Sequence, residues 1–180
     1  ENADWTFNKN KVKENNLSSI ASLISNEVFK LTPIIQNELV VRDRLSSMSM
    51  SGASNLLTKV FNNSHLKNLG MEGNPSEFGI YLSLIKSNNL HIKKGDEYVI
   101  SIENTKNKSI KIIYDEFLKL IKGSKEAVNV SDIYAHFVKQ PYGIKIGLLP
   151  ILIGIFVKAT EASCAFYNKD EQGRESLITE

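Results

Sequence analysis

The sequence predicts a mainly helical α+β protein built as two tandem winged-helix-like units, each of three helices and a β-hairpin. Apolar residues recur at helical spacing in six separate stretches. Two further stretches alternate or run extended around turn residues, as hairpins do. The elements come in the order helix, helix, helix, hairpin, twice over, with a join near residues 103–108. The repeat is one of element order, without residue-level self-similarity. A single helical bundle decorated by two hairpins is the competing arrangement. Residues 1–16 read as an N-terminal arm, 17–104 as the first unit and 105–180 as the second.

The arm is polar and rich in Asn and Lys, with Trp5 and Phe7 able to dock locally. Leu17, Ile20, Ala21, Ile24 and Val28 fall on one helical face, and Pro33 is the expected stop. Asn37–Asp43 reads as a short extended connection. Leu45, Met48, Gly52, Leu56 and Val60 mark the second helix, with serines opposite, and Asn62-Asn63-Ser64 closes it. The third helix has a start signal: Asn74 to cap, Pro75 at the first position and Glu77 to complete a capping box. Its expected buried stripe is Phe78, Tyr81, Leu82 and Ile85. Leu90–Ile92 and Tyr98–Ile102 flank Lys93-Lys94-Gly95-Asp96 as a hairpin.

Ile110, Ile113, Tyr114, Phe117 and Ile121 mark the fourth helix, before Gly123. Ser131 caps a short fifth one carrying Ile133, Tyr134, Phe137 and Val138. In Gln140-Pro141-Tyr142-Gly143, Pro141 and Gly143 set a sharp turn and Tyr142 anchors it. The stretch from Ile146 to Val157 is uncharged between Lys145 and Lys158. It is too short for a bilayer span of ~20 residues, so it reads as a helix covered by protein, with Gly147 and Gly154 permitting close packing. Cys164–Tyr167 and residues near 176–179 read as strands around a turn.

With 180 residues, 42% hydrophobic and 23% charged, the chain has the composition of an ordinary globular protein. Wholesale disorder, a coiled-coil rod and a collagen-like fibre are excluded. Twenty-two basic and 20 acidic residues leave a net charge of +2, low for a protein held to nucleic acid by bulk electrostatics. One cysteine, Cys164 in an apolar stretch, forbids an internal disulfide and fits a reduced cytoplasmic compartment. The chain opens on Glu1-Asn-Ala with neither methionine nor a basic-then-apolar leader, as a piece of a longer protein would.

Catalytic signatures are scarce. Gly123-Ser124-Lys125 lacks the spacing of a phosphate-binding loop. His65, His91 and His136 lie far apart in sequence without metal-ligand spacing. His136, inside an apolar helix, reads as a hydrogen-bonded interior or boundary residue. Asp115-Glu116 and Asp170-Glu171 read as solvated surface. No catalytic residue, cofactor or metal ligand is therefore assigned.

A winged helix places its third helix in the major groove and its wing on phosphate. Here that helix, near Pro75–Ser87, offers one cation, Lys86, and one anion, Glu77. The wing offers Lys93 and Lys94 against Asp96 and Glu97. With Arg42 and Arg44 these are the candidate nucleic-acid contacts: Arg42, Arg44, Lys86, Lys93 and Lys94. They give weak, salt-sensitive binding. The corresponding helix of the second unit is uncharged and must be covered.

Three strings, in order, carry a resemblance over roughly residues 30–170. They are Thr32-Pro33-Ile34 with Asn37-Glu38-Leu39 and Leu45-Ser46-Ser47; Leu69-Gly70-Met71-Glu72-Gly73-Asn74-Pro75-Ser76-Glu77 leading to Tyr81 and Leu84; and Gln140–Ile144 with Gly147, Pro150, Leu152 and Phe166-Tyr167. Together they resemble a non-motor region of large bacterial P-loop ATPases of phage-defence islands, the BREX ATPase type and its relatives. The resemblance implies a nucleotide-binding domain elsewhere in a parent protein. It implies a noncatalytic accessory role here, with the rest of that ATPase or other subunits as partners. DNA is the alternative partner, and no membrane is expected.

Overall fold

A computed structural model describes residues 6–7, 9–12, 16–124, 126–160, 164–170, 172 and 174–177. Trp5, and part of the expected last strand, lie outside the described residues. The fold is mixed α+β and mainly helical. A two-residue strand pair, β1 (Thr6–Phe7) and β2 (Asn10–Lys11), precedes α1 (Leu17–Val28), α2 (Ser47–Asn62) and α3 (Ser76–Ile80), which runs on as a π-helical stretch, Tyr81–Lys86. The antiparallel hairpin β3 (His91–Lys94) and β4 (Glu97–Ile100) follows, turning at Gly95 with φ +66°. Then come α4 (Lys108–Gly123), α5 (Val130–Val138) and α6 (Leu149–Ala159). A second small hairpin pairs β5 (Tyr167–Lys169) with β6 (Glu175–Leu177).

α6 is the interior helix that its uncharged sequence predicts. Leu149, Ile151, Leu152, Ile155 and Phe156 are fully covered. It packs against α2 and β4, and Phe156 meets the rings of Tyr114 and Phe117 from α4. The hydrophobic core is thus continuous across residues 104 and 105: Leu56, Leu84 and Ile100 share it with Ile113, Phe137 and Ile155. At the end of α6, Lys158 Nζ donates to the Phe61 carbonyl at 2.9 Å. A cation there satisfies a carbonyl left open at the C-terminal end of α2 and suits the negative end of its dipole. No helix among the described residues is long and apolar enough to cross a membrane.

The glycines do what the close packing requires. A Cβ on Gly154 would overlap the Leu57 side chain, and one on Gly147 would overlap Leu45. Gly143 has φ +56° and lies against the Phe29 ring. Tyr142 beside it is buried edge-on to Phe137 at 5.1 Å.

Several local expectations are corrected. α1 stops at Val28, short of Pro33. The chain leaves it so that the Leu31 amide can donate to the Pro141 carbonyl and the Thr32 hydroxyl to the Tyr142 carbonyl. Residues 37–43 form turns, the Val41 amide donating to the Asn37 carbonyl, and are not extended. In α2 the buried stripe is Ser49, Gly52, Ala53, Leu56 and Val60, while Met48 is exposed. The small Ser49 suits the close approach and its hydroxyl meets that of Ser46 at 3.0 Å.

α3 has no Asn74 cap and no capping box. Pro75 is the cap residue, and the Glu77 carboxylate is buried against α2, 3.9 Å from Lys59 Nζ. Its inward stripe is Glu77, Ile80, Tyr81, Leu84 and Ile85, leaving Leu82 exposed and Phe78 half-buried. Both stripes satisfy helical spacing. Contact with Gly52, whose Cβ position lies 3.4 Å from Ile80 Cδ1, selects the observed one. α5 is capped by Asn129, whose side chain accepts from the Ser131 amide at 3.0 Å, so Ser131 is not the cap. β5 begins at Tyr167, not Cys164.

Candidate functional site

The five cations singled out in the sequence sit on two segments. Arg42 and Arg44 are exposed on the turns before α2. Arg42 is 4.0 Å from Glu38, an open i,i+4 pair of small energetic weight. This segment is tied to the turn before α6: the Gly147 amide donates to the Arg42 carbonyl at 2.9 Å, and Lys145 meets Asp43 at 2.7 Å. Lys86 ends the π-helical stretch that continues α3, and Lys93 and Lys94 lie near the hairpin tip, all exposed. Consecutive strand residues point to opposite faces, so Lys93 shares a face with Tyr98, and Lys94 stands across from Glu97 on the other.

The outward side of α3 is partly occupied. Asn37 Nδ2 donates to Ser83 Oγ at 2.7 Å and reaches the Gly79 carbonyl at 3.5 Å. The 35–41 segment is pinned there by Ile35 and Val40, both buried. Of the polar positions that could face a groove, Ser83 is already engaged, and Glu77 points inward. A shallow open depression lined by Ile35, Asn37, Glu38, Val41 and Arg42 lies on the same segment.

Sequence reasoning missed the buried polar centre under the hairpin. His91, on β3, has Nε2 2.8 Å from the Ser64 carbonyl and Nδ1 3.0 Å from the Tyr81 hydroxyl. A carbonyl only accepts, so Nε2 carries the proton and donates; Nδ1 of the neutral ring accepts from Tyr81. Burial lowers the His91 pKa, the bond to the Ser64 carbonyl opposing it. The Tyr81 hydroxyl is pushed up to about 12, by burial first and then by Tyr98. The ring packs 5.2 Å from that of Tyr98, whose amide donates to the His65 carbonyl at 3.1 Å. Both ring nitrogens are engaged, so the centre latches the hairpin to the α2–α3 connection and presents no free base. A lone histidine in an alternating strand gives no such signal.

His136 does not make the hydrogen bond expected of it. Its Nε2 is covered and unbonded, with Glu116 Oε1 3.4 Å away but off the bonding direction. Glu116 is shared with Lys119, also at 3.4 Å, so this half of the Asp115-Glu116 pair is engaged rather than simply solvated. Asp170 accepts from the Arg174 and Gln172 amides and meets the Arg174 side chain at 2.8 Å. The Arg174 bonds hold its carboxyl below the usual range. Cys164 is half-buried near the Thr160 hydroxyl. Among the described residues, no three His, Cys, Asp or Glu side chains are grouped to hold a metal.

The fold and these sites define a mainly helical α+β protein whose β3–β4 hairpin is latched by a buried histidine. No protein-family model, curated protein or solved structure matches the chain.

Proposed function

We propose that this chain is a noncatalytic interaction module of a larger bacterial P-loop ATPase of the phage-defence kind. It docks onto the rest of that ATPase or its partner subunits in the cytoplasm. In this reading the helix, helix, helix, hairpin order makes two winged-helix-like units, merged through one core.

The observation that carries it is the surface of α1. Only Ile20 of this helix is buried, while Leu17, Leu23 and Ile24 are 68%, 42% and 37% exposed, and Phe29 just beyond is 38% exposed. Water does not favour a helix with its apolar side chains uncovered, and a 12-residue helix has little stability alone. α1 is held chiefly at its exit, by the contacts of residues 29–32 with the Pro141–Gly143 turn. Covering it with another protein surface removes the exposure.

The test expresses the remainder of the parent polypeptide separately and titrates this chain into it by calorimetry. A defined complex that Leu23→Lys/Ile24→Lys weakens at least about tenfold supports the reading. A reading frame that starts and stops with this chain removes it.

DNA binding is the second reading. It is favoured by the exposed cations Lys86, Lys93 and Lys94, none of which is ion-paired among the described residues. Asn37 against Ser83 weighs against α3 as an open reading helix, which leaves phosphate contact as the mode of binding.

A further inference from the structure

We infer that the end of the molecule formed by the C-terminal end of α3, the β3–β4 hairpin and the N-terminal end of α4 is a DNA-backbone-binding surface, with Lys106, Lys108 and Lys111 completing it beside Lys86, Lys93 and Lys94. The surface presupposes the second reading above and names where, and through which side chains, it operates.

The chain's positive charge is not spread evenly. Residues 86–111 carry six lysines against three carboxylates, Asp96, Glu97 and Glu103. Everything outside that stretch holds 16 cations against 17 acids. Residues 86–111 thus carry a net charge of +3, against +2 for the whole chain. All six of its lysines are exposed, and none is ion-paired among the described residues.

The three parts of this segment are fastened together. Asn107 Nδ2 donates to Asn88 Oδ1 at 3.2 Å, joining the cap of α4 to the chain just beyond α3. The Ser101 amide donates to the Leu90 carbonyl at 2.9 Å, closing the hairpin base between them. From that base the strands carry Lys93 and Lys94 outward by roughly 10 Å, at about 3.3 Å per residue. Lys93 and Lys94 stand on opposite faces of the strand there, so a duplex seated against this end would meet a tip cation well separated from those at the base.

Lys106, Lys108 and Lys111 are also misplaced for stability. They flank the start of a 16-residue helix whose first turn has no acidic residue. The positive end of the helix dipole repels cations there, and Asp or Glu is the usual choice. An arrangement that breaks a local rule without folding benefit is expected where a surface serves a ligand. Clustered lysines that neutralise phosphates release counterions, and that release supplies the affinity.

A fluorescein-labelled 20-base-pair duplex, titrated with the whole chain at about 50 mM and about 200 mM salt, tests this. Binding should weaken steeply with salt. Lys106→Gln/Lys108→Gln/Lys111→Gln should lower affinity at least tenfold and reduce the log–log salt slope by about two to three, while melting at or above the temperature of the unchanged chain. A lower melting temperature overturns the misplacement of these lysines. If Lys93→Gln/Lys94→Gln weakens binding and the α4 variant does not, the proposed surface falls and DNA binding stands. If the unchanged chain does not bind at the lower salt, both fall. If polyglutamate displaces the duplex at equal charge, the surface fits an acidic protein instead and the inference is overturned.

Discussion

The amide of Gly147 donates to the carbonyl of Arg42 at 2.9 Å, and a side chain at Gly147 would bring its Cβ within 2.8 Å of that same oxygen. The bond joins the turn before α2 to the turn before α6. These are the two helices whose packing crosses the middle of the core.

Gly147→Ala is therefore expected to destabilise by about 1–3 kcal/mol, because a backbone oxygen cannot swing aside. Gly154→Ala should stay within about 1 kcal/mol of the unchanged protein. Its obstacle is the end of the half-buried Leu57 side chain, which can rotate, and Ala gains up to about 1 kcal/mol over Gly in a helix. Urea unfolding of the two variants side by side checks the distinction; equal losses would refute it.

Stability should fall with acid through His91. Its pKa in the folded protein lies below the ordinary 6.5 because burial disfavours the charged ring. Below 6.5 the unfolded chain takes up a proton that the folded protein resists. The stability contributed by the neutral ring is thus complete above that value and lost as pH drops through it towards the lower folded value. Thermal melts from about pH 7.5 to about pH 5 should show the decline, and His91→Gln should flatten part of it. A variant with an unchanged slope would show that His91 does not govern it.

Tyr81→Phe removes the hydroxyl that donates to His91 Nδ1 and leaves that buried nitrogen unsatisfied. The expected cost is about 1–2 kcal/mol in chemical denaturation. Because the neutral ring loses its donor, the His91 titration followed by NMR should move towards the ordinary imidazole value. A shift further away would contradict the assigned direction of the bond.

These centres were unequally legible in the sequence. α6 was readable because a dozen uncharged residues between Lys145 and Lys158 have one physical solution, and the β3–β4 hairpin because Gly95 sits between two alternating runs. The turn at Pro141–Gly143 was readable from residue chemistry alone. The face of α3 was not, since Leu82 and Leu84 both satisfy a helical stripe and only packing against α2, far back in the chain, chooses between them. Nor was the Asn37–Ser83 bond, which joins a loop to a helix far along the chain. The uneven placement of charge was countable from the start, but its meaning needed the Asn88–Asn107 bond that gathers the three parts at one end.

Glu77 gives the last prediction. Its carboxylate is 7% exposed, accepts from Ser76 Oγ at 3.2 Å and faces Lys59 Nζ at 3.9 Å, with Lys59 itself 30% exposed. Burying the pair costs desolvation that a loose 3.9 Å contact recovers only in part, so it adds little net stability. Breaking it from one side is another matter, because the less exposed partner is left charged against α2. Lys59→Met should therefore destabilise by about 1–3 kcal/mol, whereas Glu77→Gln with Lys59 intact should cost less, since Lys59 can turn to water and the amide can still meet Ser76. Combining Lys59→Met with Glu77→Gln should recover part of the Lys59→Met loss. Denaturant midpoints for the three variants close the cycle, and purely additive losses would show that the two side chains are not coupled.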